Sequence, residues 1–287
     1  GQLDAVFLVG QKNEHVTVTG KKRRILAGHL VELAAEDTGH AKIAGKQILR
    51  KGLSPLATII STADSAPVIA GMRLRAGRAG SGKGAARMVT QAIVTARSAG
   101  ASGKILVRGD SAYSGSSVVR ACIRVGAEFS LVMARNSAVQ RAIDSIPDDA
   151  WVPVKYPGAV RDPDTGVWIS DAEVAETVYT AYASTAHPVT ARLIVRRVKD
   201  ATVHDSLFPV WRHHPFFTNT TWPATSADVT HRAHAIIETV FSDLIDGPLA
   251  HMPSGSFAAN SAWALCAAIA HNLHRATGVL AGGLHAK

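Results

Sequence analysis

KILVRGDSAYSG, Lys104 to Gly115, is a short apolar run that ends on a single carboxylate, Asp110. Ile105, Leu106 and Val107 read as a buried strand, because a brief β-branched run bounded by turn residues fits a strand covered on both faces. Gly109 before Asp110 and Ser-Ala-Tyr-Ser-Gly after it mark where that strand stops. A carboxylate at the carboxyl end of a buried strand stands where open α/β sheets commonly place their chemistry. The same residue could instead be a surface Asp that caps the next helix. The segment alone fits both readings.

Upstream, Ala85 to Ala99 reads as a helix that hands over at Ala99-Gly100 to the strand. Downstream, Ser116 to Val125 is a second helix closed by Gly126, with Val119 and Cys122 on its inner side, and Glu128 to Met133 is another strand. Strands alternating with helices indicate an α/β core with some parallel pairing. Before it, Leu56 to Thr62 and Pro67 to Arg75 form a hairpin that leads into GRAGSGKGAAR. There Gly77, four residues and Gly82-Lys83 match a phosphate-cradling loop except at its last position, which is Gly84 where Ser or Thr would hold magnesium. The expectation is no nucleotide, and a loop whose Arg78 and Lys83 face a nucleic-acid backbone.

The chain of 287 residues is 47% hydrophobic, enough for one large core or two smaller ones. No apolar run is long enough to span a bilayer and no signal peptide is evident, so the expectation is a soluble cytoplasmic protein without a membrane partner. Gly1 in place of Met points to a fragment or a processed start. Cys122 and Cys266 are isolated thiols in apolar helical contexts, read as packing. Charge is one-sided: residues 1–109 carry 17 Lys and Arg against 6 Asp and Glu, while the remainder carries 14 against 16. A basic half of this kind suits a polyanion partner, because Lys and Arg displace counterions from phosphates.

Residues 1–50 hold no steady period, since KKRR at 21–24 and GKQILRK at 45–51 interrupt it. Residues 51–135 form the first part of the core. From 136 to 217, scattered prolines, the turn at 162–166 and the runs Glu176 to Ala183 and Arg192 to Val198 suggest a β-rich insertion. Residues 218–287 complete the core. There Ser226 can cap a helix from Ala227 to Leu244 whose stripe of Val229, Ala233, Ile236, Ile237, Val240, Phe241 and Leu244 is fit to bury. His231, His234 and Glu238 fall on its opposite side, within about 60° of one another. Their spacing is not that of the HExxH zinc hydrolases. A long apolar helix, Phe257 to Ala276, follows.

The strings VRGDSAYSG, AEFSLVMARN, WISDAEVAE, HRAHAIIETVFSDLIDGPLAHMPSGSFAANSAW and AIAHNLHRA together resemble the DDE transposases of bacterial insertion sequences, in the group 1 branch of the DDE domain. The resemblance spans residues 52–276. It implies an α/β fold with a ribonuclease-H-like core, a mixed sheet flanked by helices, and a β-rich insertion before the last catalytic helix. It further implies DNA cleavage and strand transfer at insertion-sequence ends by a homodimer in a DNA complex. Three acids would hold two Mg²⁺ ions, with Mn²⁺ as a substitute. By this resemblance Asp110 is the second acid and Glu238 the third. Asp37 is the first, from faint Asp-Thr and Gly-x-x-Lys-Gln elements, with Asp4 as the other candidate. The family's Tyr-x2-Arg-x3-Glu-x6-Lys pattern reads here His231, His234, Glu238 and Ile245, so the histidines take the DNA-facing places and Ile245 brings no lysine charge. The amino-terminal recognition portion of such transposases is also expected to be missing. The alternative expectation is therefore a catalytically inactive DNA-binding remnant.

Overall fold

The computed structural model describes residues 3–9, 38–43, 46–51, 53–62, 66–77, 79–200, 210–233 and 236–282. Its elements begin with β1 (Leu3–Val9) and the hairpin β2 (Thr38–Ile43) and β3 (Lys46–Lys51). Then come β4 (Leu56–Ser61), β5 (Val68–Arg73), α1 (Ala85–Ser98), β6 (Lys104–Gly109), α2 (Ser116–Arg124) and β7 (Glu128–Val132). α3 (Ser137–Asp144) leads to β8 (Val152–Pro153), β9 (Val160–Arg161), β10 (Trp168–Ile169), β11 (Ala172–Ala181), β12 (Val189–Lys199) and β13 (Trp211–Thr218). α4 (Ala224–Arg232), α5 (Ile236–Ile245) and α6 (Phe257–Leu280) close the chain. Two compact units result: residues 1–108, 117–127 and 235–287, and residues 109–116 and 128–234.

In the first unit the strand order is β5-β4-β1-β6. β1 is antiparallel to β4, with Val6 opposite Ile60, and parallel to β6, with Val6 opposite Val107. The parallel step requires a crossover, and α1 supplies it between β5 and β6. Alanines and unbranched residues suit α1 to a helix, and its buried side is Met88, Val89, Ala92, Ile93 and Ala96. Gly100, at φ +99°, ends it in the left-handed conformation that glycine takes without a Cβ penalty. The core joins Ala57, Ile59, Ile69 and Met72 of the sheet to Ile237, Val240 and Leu244 of α5 and Ala264, Ala267 and Ala268 of α6. At the sheet edge the Asn272 amide stands in for a neighbouring strand: its Oδ1 accepts from the Ile69 N–H at 2.8 Å, and its Nδ2 donates to the Ile69 carbonyl at 2.9 Å.

In the second unit β7, β13, β12, β11 and β8 succeed one another as antiparallel neighbours. Val174 of β11, Ile194 and Val198 of β12 and Phe216 of β13 share a core with Ala227 of α4. Alternation along β12 accounts for this, since residues two apart point to one face. β11 starts at Ala172, four residues before the run expected from sequence.

The molecule is α/β, and its mixed sheet flanked by helices is a ribonuclease-H-like core. One helix departs from the sequence reading. The stretch expected as a single helix over 227–244 is two, α4 and α5, and they belong to different units. Val229, placed on the buried stripe by its period, is 57% exposed. α4 instead buries Ala227, Asp228 and His231, whereas α5 buries Ile237, Val240 and Leu244. Each half answers to its own core, so one stripe cannot run through both.

Candidate functional site

Asp110 follows directly on β6, whose Ile105, Leu106 and Val107 are fully buried. Gly109 permits the exit. A Cβ there would stand 3.2 Å from both Leu131 Cδ2 and Tyr113 Cβ, closer than such contacts normally come. Tyr113 is itself completely buried and anchors a short 3-10 turn, Ser111–Tyr113. Asp110 is exposed and caps that turn: its Oδ1 accepts the Ala112 N–H at 2.8 Å. Capping and presentation of an acid are thus compatible, because the cap bond uses one carboxylate oxygen and fixes the side chain's direction. Beyond the turn, the Tyr182 hydroxyl donates to the Ser114 carbonyl, tying the loop to the β11–β12 turn. Tyr182 has φ +59°, a left-handed conformation uncommon for an aromatic residue.

Glu238 stands in the first turn of α5, exposed, on the side away from Ile237, Val240 and Leu244. A carboxylate is favoured there by the helix dipole. α5 is held at its far end. Asp243 accepts from Arg275 of α6, and His271 Nε2 lies 3.4 Å from the same carboxylate oxygen. Gly247 then turns the chain where a Cβ would sit 2.6 Å from the Asp243 carbonyl oxygen.

The other candidates fall in different places. Asp37, His234 and Arg78 lie outside the described residues. Asp4 is opposite Ile105, near the start of the β1–β6 pair, whereas Phe7 is opposite Arg108. His231 is buried in the second unit, with its ring stacked on Phe216 at 4.2 Å and its Nδ1 2.8 Å from Ser130 Oγ. There it packs, and it would have to leave that core to meet a phosphate. Asp110 and Glu238 belong to different units. Among the described residues no three His, Cys, Asp or Glu side chains gather as a metal-binding group.

Around the glycine-rich loop the organising residue is one that the sequence reading passed over. Arg75 is buried, and its guanidinium donates to the carbonyls of Ser54 (3.1 Å), Gly80 (3.2 Å), Ser81 (2.8 Å) and Lys83 (3.0 Å) and to Ser54 Oγ (2.8 Å). A phosphate cradle needs backbone N–H groups converging on one point, and here the carbonyls converge on a cation. Lys83, Arg73 and Arg87 remain exposed around the loop. In the second unit Arg197 lies between Trp151, at 4.2 Å, and Trp211, at 4.4 Å, and its Nε donates to Glu173 at 2.6 Å. The preceding Arg196 is buried against Tyr156. Of the RRVK run, then, the first two cations are built into the unit's packing.

Among the described residues no helix is long and apolar enough to cross a membrane. No curated protein matches the chain. The family model of the transposase DDE domain group 1 matches residues 55–280, which include both Asp110 and Glu238. With an α/β core of the ribonuclease-H-like kind and an acid at the exit of its buried strand β6, the chain belongs to the transposase DDE domain group 1 family.

Proposed function

We propose that the protein cleaves and rejoins DNA strands at the ends of a bacterial insertion sequence, as a homodimer, with Asp110 and Glu238 as two of its metal-holding acids. The observation that carries this reading is Asp110: an exposed carboxylate at the exit of a strand buried from Ile105 to Gly109, fixed by its own cap bond and by the close packing on Gly109. Members of the family are transposases that act on DNA and generally use divalent metal ions. Exposed carboxylates are the hard oxygen donors that Mg²⁺ takes, and it needs only a few of them. Two Mg²⁺ ions, replaceable by Mn²⁺, would supply Lewis acidity toward the phosphodiester. Asp37 completes the acid set in this reading. Lys83 and Arg78, with His234, neutralise backbone phosphates and position the duplex.

The test is Mg²⁺-dependent cleavage of a duplex that carries the element's end. Wild type is expected to release a 3′ hydroxyl, and Glu238→Gln to lose about 10²-fold or more in rate, as removal of several kcal/mol of charge stabilisation requires. A Glu238→Gln protein that cleaves like wild type would contradict the reading. A second reading, an inactive remnant that only binds DNA, is favoured by one observation: Asp4 faces Ile105 at the start of β6, while Asp110 follows its end. Wild-type end binding without cleavage in either metal would select it.

A further inference from the structure

α6 is apolar nearly all round. Its inner side, with Asn260, Ala264, Ala267, Ala268 and His271, is buried. Its outer side carries Leu265, Ile269, Leu273 and Leu280 at 49%, 59%, 63% and 88% exposure, with Ala258, Ala262, Cys266 and Ala276 exposed among them. A helix hydrophobic on every side belongs in an interior. Positions 262, 265, 269, 273, 276 and 280 are separated by steps of three or four. Such a seam takes knobs-into-holes packing from another helix.

We infer that this outer face of α6 is an interface between two copies of the chain, packed helix against helix through Leu265, Ile269 and Leu273. Three properties of the face select a second copy. It bears no Lys, Asp or Glu, and the helix's single Arg, Arg275, is bound to Asp243. A charged partner has nothing to pair with there, and a membrane surface would call for Lys or Arg along the flanks. The stripe is self-complementary, since a two-fold axis lays it on its own image. Its exposed side chains present on the order of 600 Å² per copy, so that two copies together reach the lower bound of about 1,200 Å² for a specific interface. The alanines between the large residues let the two helices approach within about 8–10 Å. The homodimer of the proposed function is the reading on which this rests, and α6 adds the surface.

Cys266 gives the face its own reporter. With the axis through Ile269, the two Cys266 residues stand about 9 Å apart along the helices, within reach of a short bismaleimide. Cys122 does not compete, because it is buried and burial pushes its thiol up to about 12. Sedimentation of the full chain without DNA is expected to show a dimer, and Ile269→Glu a dimer at least tenfold weaker with an unchanged far-ultraviolet spectrum. A wild-type monomer overturns the inference. A dimer undiminished by Ile269→Glu also overturns it, while leaving the homodimer itself standing. Should Ile269→Glu fail to fold, cross-linking of the wild type decides: a covalent dimer lost in Cys266→Ser supports the interface, and no covalent dimer refutes it. End cleavage plays no part in either readout, so failure of the catalytic reading would show separately.

Discussion

Two glycine-bearing turns, RGDSAYSG at 108–115 and GRAGSGKG at 77–84, look alike as motifs and do opposite things. In the first, the absence of a Cβ on Gly109 lets Tyr113 and Leu131 close in, and the turn sends a carboxylate outward. In the second, the backbone wraps a buried guanidinium with its carbonyls inward and sends Lys83 outward. One turn is shaped by side-chain packing, the other by a buried cation. A glycine motif therefore states that the backbone bends and leaves unsaid which polar groups it aims, and where.

The contrast can be broken from the second turn first. Arg75→Met removes five donor contacts, two of them buried, and with them the cation on which the loop's carbonyls converge, so it is expected to cost about 3 kcal/mol or more of stability. Arg75→Lys should recover little of it, because an ammonium cannot reproduce the fork. Denaturant midpoints of the three proteins check this. In the first turn, Gly109→Ala forces a methyl into contacts of 3.2 Å and is expected to cost about 1–3 kcal/mol. End cleavage should fall beyond what the lost stability explains, because Asp110 is the next residue. Equal losses of stability at Gly109 and Arg75 with intact cleavage would erase the distinction.

Protonation sharpens the comparison across the two units. His271 in the first and His213 and His214 in the second are all held below the usual histidine value, chiefly by burial. The unfolded chain therefore takes up protons first as the pH falls. Stability contributed by the neutral rings is complete above about pH 6.5 and is lost as the pH falls below it. Urea midpoints at pH 7.5 and 5.5 should show the decline, and His271→Gln should flatten it in part. The smallest effect belongs to Lys83→Ala. An exposed position should change stability by less than about 0.5 kcal/mol, while the salt dependence of DNA binding should lose about one unit of slope.

Legibility follows the same division. The β4–β5 hairpin, α1, β6 and α2 were readable because each is short, strongly apolar on its buried side and bounded by turn residues. Asp110 was readable for that reason as the residue that ends the strand, and the structure makes it an exposed cap, on a 3-10 turn and not on the next helix. Arg75 was not readable, because its partners are backbone carbonyls and these leave no mark on residue identity. The break between α4 and α5 was hidden as well: Val229 fits the apolar period of the following helix yet lies exposed in another unit. His231 sits on the polar face by period and in a core by structure, where Phe216 stacks on it. Period reports a helix's faces and is silent about which core they meet. The first acid stayed open because residues 1–50 offer no period to place it.

The most direct test of the account is Asp110→Asn, assayed for Mg²⁺-dependent cleavage of an end-bearing duplex beside its denaturant midpoint. Asn caps a turn nearly as well as Asp, so the fold should keep its stability to within about 1 kcal/mol. Cleavage should fall by about 10²-fold or more. An Asp110→Asn protein that is as stable and as active as wild type would reduce Asp110 to a cap and contradict the central claim.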